Sequence, residues 1–401
     1  MLPCHLMSHC TALGVVFPLA GWHWSWCACP AKEVTTRESG LRGVAFRKLP
    51  YPLKRLRLSA PMAAHSGRPH AMATGSGSST SHFLVWDGRW PHSLRSRRLR
   101  GTARVTRSMG DLEIVQNVPL KRYCTWNIGG PAQALAVVKS AEDMSKAFRW
   151  AAVEDRPVFI LGNGSNVLFD NRGFEGLVIL NRIAHCEHLG DGFFSVGAGY
   201  PINKLSAQLS RSGWGGLEFA IGIPGTVGGA VYMNAGAHGQ DTGGIVSSVR
   251  YFDGDGRLHT VDGACLQFGY RYSIFQQMER PVAIASITLS LMRCNRARQR
   301  ATEYWRRRVL SQPAAARTAG CVFRNPGGGS ISAGALIDQV GLKGRTFGGA
   351  AVSRRHANFF LNKCSCSSDD MLRLIDVVKR EVLMHSGVKL FEEVVVVPAK
   401  S

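Results

Sequence analysis

The sequence predicts an α+β protein of more than one domain, preceded by a long segment that stands apart from the fold. Three observations carry this expectation. The 401 residues, 45% of them hydrophobic, exceed one ordinary domain and can fill separate cores. From about residue 109 onward, short strand-like runs alternate with amphipathic helical spacings, without an internal repeat. Charge is uneven: residues 1–108 hold 16 Lys and Arg against three acids, a net of +13, whereas the remainder holds 33 against 24, a net of +9.

The first quarter is rich in Arg, Ser, His and Gly, shows no sustained periodicity and contains a Gly/Ser/Thr tract at 73–81. These are traits of an organellar transit peptide, so residues 1–108 are expected to be a disordered leader. A secretory signal fits badly, because no Lys or Arg precedes Lys32 and the apolar run at 12–22 is broken by Pro18. That run is also too short to span a membrane. The other reading is an extension that arises from a mistaken start site. A net charge of +22 raises nucleic-acid binding as a function class, but the charge concentrates in the leader and no recognition module accompanies it. Eleven scattered cysteines, an odd number, point to a reducing compartment rather than a disulfide framework. The pairs Cys27/Cys29 and Cys364/Cys366 lack the second pair that a zinc site needs, and no metal is expected.

Within the folded part, Ser140 and Asp143 form a capping-box pattern ahead of Met144, Ala147, Phe148 and Ala151 at helical spacing. Strands are expected at 158–161, 167–169 and 177–180, and a hairpin around Gly190-Asp191-Gly192. Pro201 opens a helix carrying Ile202, Leu205 and Leu209, and Gly213 stops it. A second hairpin turns at 253–256, and 282–291 reads as a buried strand. The arginine-rich run 296–308 reads as a solvated linker helix. Beyond it come a helix near 333–340 ending at Gly341, and another capped by Ser367 or Ser368 with Leu372, Ile375, Val378 and Val382 inward. A last strand is expected at 394–397.

Residues 215–239 hold eight glycines in 25 positions. Glycine at that density means close backbone approach or positive φ values, for either a phosphate-bearing ligand or a structural loop between sheets. Only Glu218 is charged between Leu217 and Ala235, so an anion there would be held by amides and hydroxyls, and the Lys of a P-loop is lacking. A second cluster, Gly162-Asn163-Gly164-Ser165-Asn166, lies between two strand-like runs; Val167 stands where a Rossmann turn needs its third glycine, and no helix follows.

Six ordered stretches, WNIGGP (126–131), LGNGSNVLF (161–169), GIPGTVGGAVYMNAGAHG (222–239), GYRYSIF (269–275), AGCVFRNP (319–326) and AGALIDQVGLKG (333–344), resemble the successive motifs of the UDP-N-acetylenolpyruvoylglucosamine reductase family. The resemblance covers about two thirds of the chain. It implies an FAD-binding fold of the vanillyl-alcohol oxidase / p-cresol methylhydroxylase type, in two α+β subdomains at about 109–182 and 183–295, followed by a C-terminal α+β substrate domain at 296–401. It implies peptidoglycan precursor synthesis, in which NADPH reduces non-covalently bound FAD and the flavin then reduces UDP-N-acetylglucosamine enolpyruvate to UDP-N-acetylmuramate. The short run from Gly239 to Tyr270 is similar to the family's shorter subtype, which lacks an inserted substrate loop. The partners implied are the UDP-sugar and NADPH, with no nucleic acid or membrane, and the protein is expected to be a monomer. Outside bacteria this pathway makes sense in a plastid, so the leader is expected to direct the protein there; a mistaken start would leave it cytoplasmic. A different flavoenzyme of the same fold and an inactive homologue are the alternatives.

The family's motif positions imply three catalytic residues. Hydride addition to the enolpyruvyl β-carbon puts negative charge on the α-carbon and its carboxylate, which calls for cations or acids there and a proton donor to the α-carbon. Arg271 matches the carboxylate-binding arginine. Glu393, with Glu392 as its neighbour in register, matches the acid that polarises the carboxylate and must act protonated; Val395 stands where the family usually has arginine. Cys321 matches the proton donor, for which most members use serine. Arg324 and Asn325 match the positions that contact the UDP-sugar, with Tyr232, Asn234, Lys343 and His356 as further candidates. Gly162, Asn163, Gly164, Ser165 and Asn166 are expected at the FAD pyrophosphate. Gly222, Ile223, Pro224, Gly225, Thr226, Gly228 and Gly229 are expected along its adenosine or isoalloxazine.

Overall fold

A four-stranded sheet is built in the order Ile114–Pro119, Pro131–Val138, Phe174–Asn181, Val158–Leu161; its first pair is antiparallel and the others parallel. Parallel strands need both faces covered, and the sequence PAQALAVV of the second strand is accordingly buried at Ala132, Ala134, Leu135, Ala136 and Val138. Helix α1 (Ala141–Val153) covers one face through Met144, Ala147, Phe148 and Ala151. Its start is the expected capping box, in which Ser140 accepts from the Asp143 amide and Asp143 from the Ser140 amide. The computed structural model describes residues 111–313 and 315–399, so the expected leader lies outside the described residues.

The second sheet is antiparallel, in the order Leu258–Asp262, Val246–Phe252, Ala283–Ser290, Phe193–Gly197, Cys186–Gly190. Both expected hairpins belong to it. Its core includes Leu205 and Leu209 of α2 (Ile202–Arg211), Val227 and Val231 of α3 (Val227–Tyr232), and Leu217 and Phe219. The glycine-rich stretch therefore runs beside this sheet. In the C-terminal part, α5 (Ala333–Gln339), a three-stranded meander (Thr346–Phe347, Ala350–Val352, Phe360–Asn362) and α6 (Ser368–Ser386) close around another core.

One sequence expectation needs correction and two are sharpened. The arginine-rich helix, α4 (Ala297–Ser311), is not simply solvated, because residues four apart share a face and its inner stripe is occupied. Arg300 ion-pairs with fully buried Glu218, and Tyr304 stacks on His238 at 4.0 Å and 7° between planes. Helix α6 is capped by Ser367, whereas Ser368 exchanges two hydrogen bonds with Asn171. Its fully inward residues are Met371 and Leu374 with Ile375, Val378 and Val382, while Leu372 is only partly buried. The last strand, Val395–Val397, leaves the C-terminal meander and pairs in parallel with Val167–Phe169.

Trp126, fully buried, ties the ends of the described chain together. Its indole N–H donates to the Phe360 carbonyl at 2.8 Å, and Asn362 Nδ2 donates to the Trp126 carbonyl at 2.8 Å. Trp126→Phe leaves that Phe360 carbonyl unpaired in the core and is expected to lower stability by about 1–3 kcal/mol. Urea denaturation checks this; an unchanged midpoint would show that the bond contributes nothing.

Candidate active site

The two glycine segments touch. A Cβ on Gly162 would lie 2.6 Å from Thr226 Oγ1, and one on Gly225 3.6 Å from Ser165 Oγ. Gly164 has φ +60°, and a Cβ there would lie 2.0 Å from the Tyr123 carbonyl oxygen, so only glycine fits. Among the described residues, the amides of Asn163, Gly164, Ser165 and Asn166 meet no acceptor from the protein, and neither do those of Gly225 and Thr226. Successive free amides on a turn form a concave donor set for an anion. Arg182 adds charge behind it: one guanidinium nitrogen donates to the Gly162 and Asn181 carbonyls, and burial pulls its pKa down. These features fit the pyrophosphate of a dinucleotide cofactor.

Other glycines of the second segment answer to protein. Gly228 packs on Ala198, where a Cβ would be 2.8 Å from that of the alanine, and Gly229 donates its amide to Thr226 Oγ1, the cap of α3. Gly222 lies under the side chain of Arg308. Ile223 packs against the second core. Cys124 stands beside the first loop, 2.9 Å from a Cβ on Gly164 by its Cα, although the sequence places no Cys there. Its thiol is buried in the core and pushed up to about 12, which leaves it un-ionised and a poor covalent anchor.

Arg271 and Glu393, 122 residues apart, form an ion pair with Nε 2.9 Å from Oε1. Arg271 sits at φ +54° in a tight Gly269–Tyr272 turn, a conformation costly for arginine, and its carbonyl is held by Gln276 Nε2. The two neighbouring glutamates face opposite ways: Glu392 pairs with Lys379 of α6, and Glu393 with Arg271. Burial raises the Glu393 pKa, opposed by Arg271 and then Arg324.

Cys321 is placed by three extended segments side by side. It bridges to Phe359 on one side, and Phe323 bridges to Glu392 on the other. The Glu393 amide donates to the Val322 carbonyl at 2.7 Å. Asn358, which sequence reasoning missed, replaces a missing strand partner: its Nδ2 donates to the Phe323 carbonyl and its Oδ1 accepts from the Phe323 amide. Burial, then Glu393, push the Cys321 thiol up to about 12, against Arg271 and Arg308.

The remaining candidates divide. Arg324 acts on Glu393 and has a buried Nε with no hydrogen-bond partner. The Asn325 side chain accepts from the Ala333 amide at the start of α5, and its own amide donates to the Tyr270 hydroxyl. Tyr232 offers its carbonyl to Ser273 and Gln276, and burial raises its phenol pKa. Asn234 is buried and engaged at both ends of its amide, donating to Asp241 and Gly269 and accepting from Gly243, so its role there is to brace the turn. Lys343 pairs with Asp338; partial burial, then Lys343 and Arg308, lower the pKa of His356. Arg308 was absent from the sequence candidates. Its spacing of four from Tyr304 and eight from Arg300 was the available signal.

The chain is similar to known proteins over most of its described length. Residues 312–397 match a family model described as the C-terminal domain of UDP-N-acetylenolpyruvoylglucosamine reductase, and residues 132–262 match one described as an FAD binding domain. A UDP-N-acetylenolpyruvoylglucosamine reductase of Protochlamydia amoebophila is 46% identical over 282 residues, 70% of this chain and 93% of that protein. One of Chlamydia muridarum is 42% identical over 285 residues, 71% of this chain and 95% of that protein. The crystal structure of UDP-N-acetylenolpyruvylglucosamine reductase from Thermus caldophilus aligns with a TM-score of 0.59 at 34% identity, over 74% of this chain and all of that one.

Because burial pushes the Cys321 thiol up to about 12, it stays almost wholly un-ionised at pH 8. Exposed Cys265 and Cys364 should therefore take up iodoacetamide first at pH 8, with Cys321 labelled appreciably only as pH rises toward its pKa. Peptide mapping checks this; early labelling of Cys321 would mean a stabilised thiolate instead of a proton-bearing thiol.

Proposed function

The chain belongs to the UDP-N-acetylenolpyruvoylglucosamine reductase family, and from that premise we propose that it reduces UDP-N-acetylglucosamine enolpyruvate to UDP-N-acetylmuramate, with NADPH as hydride donor and FAD as carrier. The observation that carries the catalytic assignment is the Arg271–Glu393 pair beside a protonated Cys321, close to a loop of free amides. The amides at 163–166, with Gly225 and Thr226, would hold FAD, which supplies two-electron transfer between NADPH and the substrate.

The protein's own groups then have separate tasks. Arg271 binds the enolpyruvyl carboxylate through its fork of N–H donors. As that carboxylate takes up the guanidinium, Glu393 loses the partner that holds its pKa down, and burial favours the neutral acid. Neutral Glu393 can donate to the carboxylate and draw charge from the α-carbon. The Cys321 S–H supplies the proton to that carbon, and the thiolate left behind faces Arg271 and Arg308, which favour it until solvent returns the proton.

We extend the proposal to organisation and location. The FAD-binding part is assigned to 109–295, in subdomains at about 109–182 and 183–295, and the substrate part to 296–401, in a monomer. Residues 1–108 are assigned as a plastid leader, supported by their basic, acid-poor composition. Among the described residues no helix is long and apolar enough to cross a membrane.

Cys321→Ala separates the two halves of the reaction. NADPH should bleach the flavin absorbance of this variant at close to the parent's rate. Recovery on adding UDP-N-acetylglucosamine enolpyruvate should slow by about 10²- to 10⁴-fold, the usual worth of a positioned acid. Cys321→Ser should restore part of the loss. Stopped-flow absorbance checks both steps, and unchanged recovery in Cys321→Ala would make Cys321 packing and move the proton source elsewhere.

A further inference from the structure

The segment 321–324 carries two side chains of the site, Cys321 and Arg324, and its backbone is held from two sides. On one side the Arg324 amide donates to the Phe391 carbonyl at 2.9 Å, and the Val322 carbonyl accepts from Glu393. Extended backbone turns the amide and carbonyl of the residue between them, Phe323, the opposite way. There the neighbouring chain offers one carbonyl, that of Asn358, to the Val322 amide at 2.9 Å. It then turns in on itself, with the Ser353 amide on the Phe359 carbonyl and the Phe359 amide on the His356 carbonyl. The peptide groups of Phe323, a residue with no exposed surface, therefore meet a side chain.

Asn358 fills this place with both ends of its amide. Its Nδ2 donates to the Phe323 carbonyl at 2.8 Å, and its Oδ1 accepts from the Phe323 amide at 2.9 Å. Among the described residues nothing else bonds to either group. A carboxamide presents one donor and one acceptor side by side, as a peptide does; a carboxylate presents acceptors only, and leucine, similar in size, presents neither. Asn358 is itself 1% exposed and held at its backbone, because its amide donates to His356 Nδ1 and its carbonyl accepts from Val322. The clamp on Phe323 is therefore rigid from the core outward.

We propose that Asn358 is a positioning residue for the proton-transfer step: by clamping the Phe323 backbone it sets where the Cys321 S–H, two residues earlier, can reach. The inference rests on the functional reading above. Without the clamp the segment keeps its bonds to 391–393 and the Val322 bond, and it can twist about Phe323. A small displacement of a proton donor costs rate even where substrate still binds. Reduction of the flavin by NADPH takes no proton from Cys321 and is indifferent to that displacement.

Stopped-flow absorbance on the FAD-loaded protein separates positioning from stability. Asn358→Leu should be reduced by NADPH at close to the parent's rate. Its limiting rate of reoxidation by UDP-N-acetylglucosamine enolpyruvate should fall about 10- to 100-fold, the cost of a slight misplacement, with the half-saturating concentration unchanged. Asn358→Gln, with both groups on a longer stem, should fall between the two, and it carries the test if Asn358→Leu does not fold. Val378→Ala, which opens a cavity in the same core, should lower the urea midpoint and leave both rates as in the parent. Equal slowing of both steps would make Asn358 a support of the whole fold. A raised half-saturating concentration at an unchanged limiting rate would move its role to substrate binding through Arg324, and no change would leave it as packing; each overturns the proposal. A parent that NADPH reduces but the enolpyruvyl compound does not reoxidise overturns the functional reading first and this inference with it.

Discussion

The site depends on a three-residue parallel pairing, Val395–Val397 against Val167–Phe169, that brings the end of the chain back to the first glycine loop. The pairing continues beyond its ladder. Val395 donates its amide to the Asn166 carbonyl, and Asn166 Nδ2 donates to the Glu393 carbonyl, each at 3.0 Å. On the other side, the Glu393 amide is taken by Val322. The backbone of Glu393 is thereby fixed at both its donor and its acceptor, one to the segment that carries Cys321 and one to the amide loop. On extended backbone the Glu393 side chain leaves the face opposite to that of Glu392, and it meets Arg271. Asn166 therefore acts through Glu393 as much as through any cofactor contact.

A second consequence concerns protonation. Burial holds both Cys321 and Glu393 toward their neutral forms, and the neighbouring guanidiniums pull the other way. The upward direction of both pKa values suits a step that ends with a proton on carbon. The same arginines stabilise the thiolate that the step leaves behind. Strain at Arg271, whose φ is +54°, is supported by hydrogen bonds around its turn and keeps its head aimed at Glu393.

How much of this was legible in the sequence follows the range of the interactions. Local signals held: the Ser140–Asp143 box, the glycine hairpins and the Pro201 start all act within a few residues. The glycine clusters and the positions of Arg271, Cys321 and Glu393 were visible as motifs. Their meaning was not uniform, because Gly164 answers to the Tyr123 carbonyl, Gly228 to Ala198 and Gly222 to Arg308, contacts up to 86 residues away that no local pattern encodes. Asn358 is a similar case, since nothing nearby in sequence shows that the Phe323 amide and carbonyl face a side chain instead of a strand. Glu392 and Glu393 could not be told apart from composition, but extended backbone alternates its side chains, and one had to face α6 if the other faced Arg271.

The amide loop and Glu393 form one mechanical unit, joined by the last strand. Hydrogen–deuterium exchange of the flavin-free protein, with and without added FAD, measures this most directly. FAD should slow exchange in residues 162–166 and, to a comparable extent, at Val395 and the amides of 393–397. Protection confined to the glycine loops, with 393–397 exchanging as before, would contradict it.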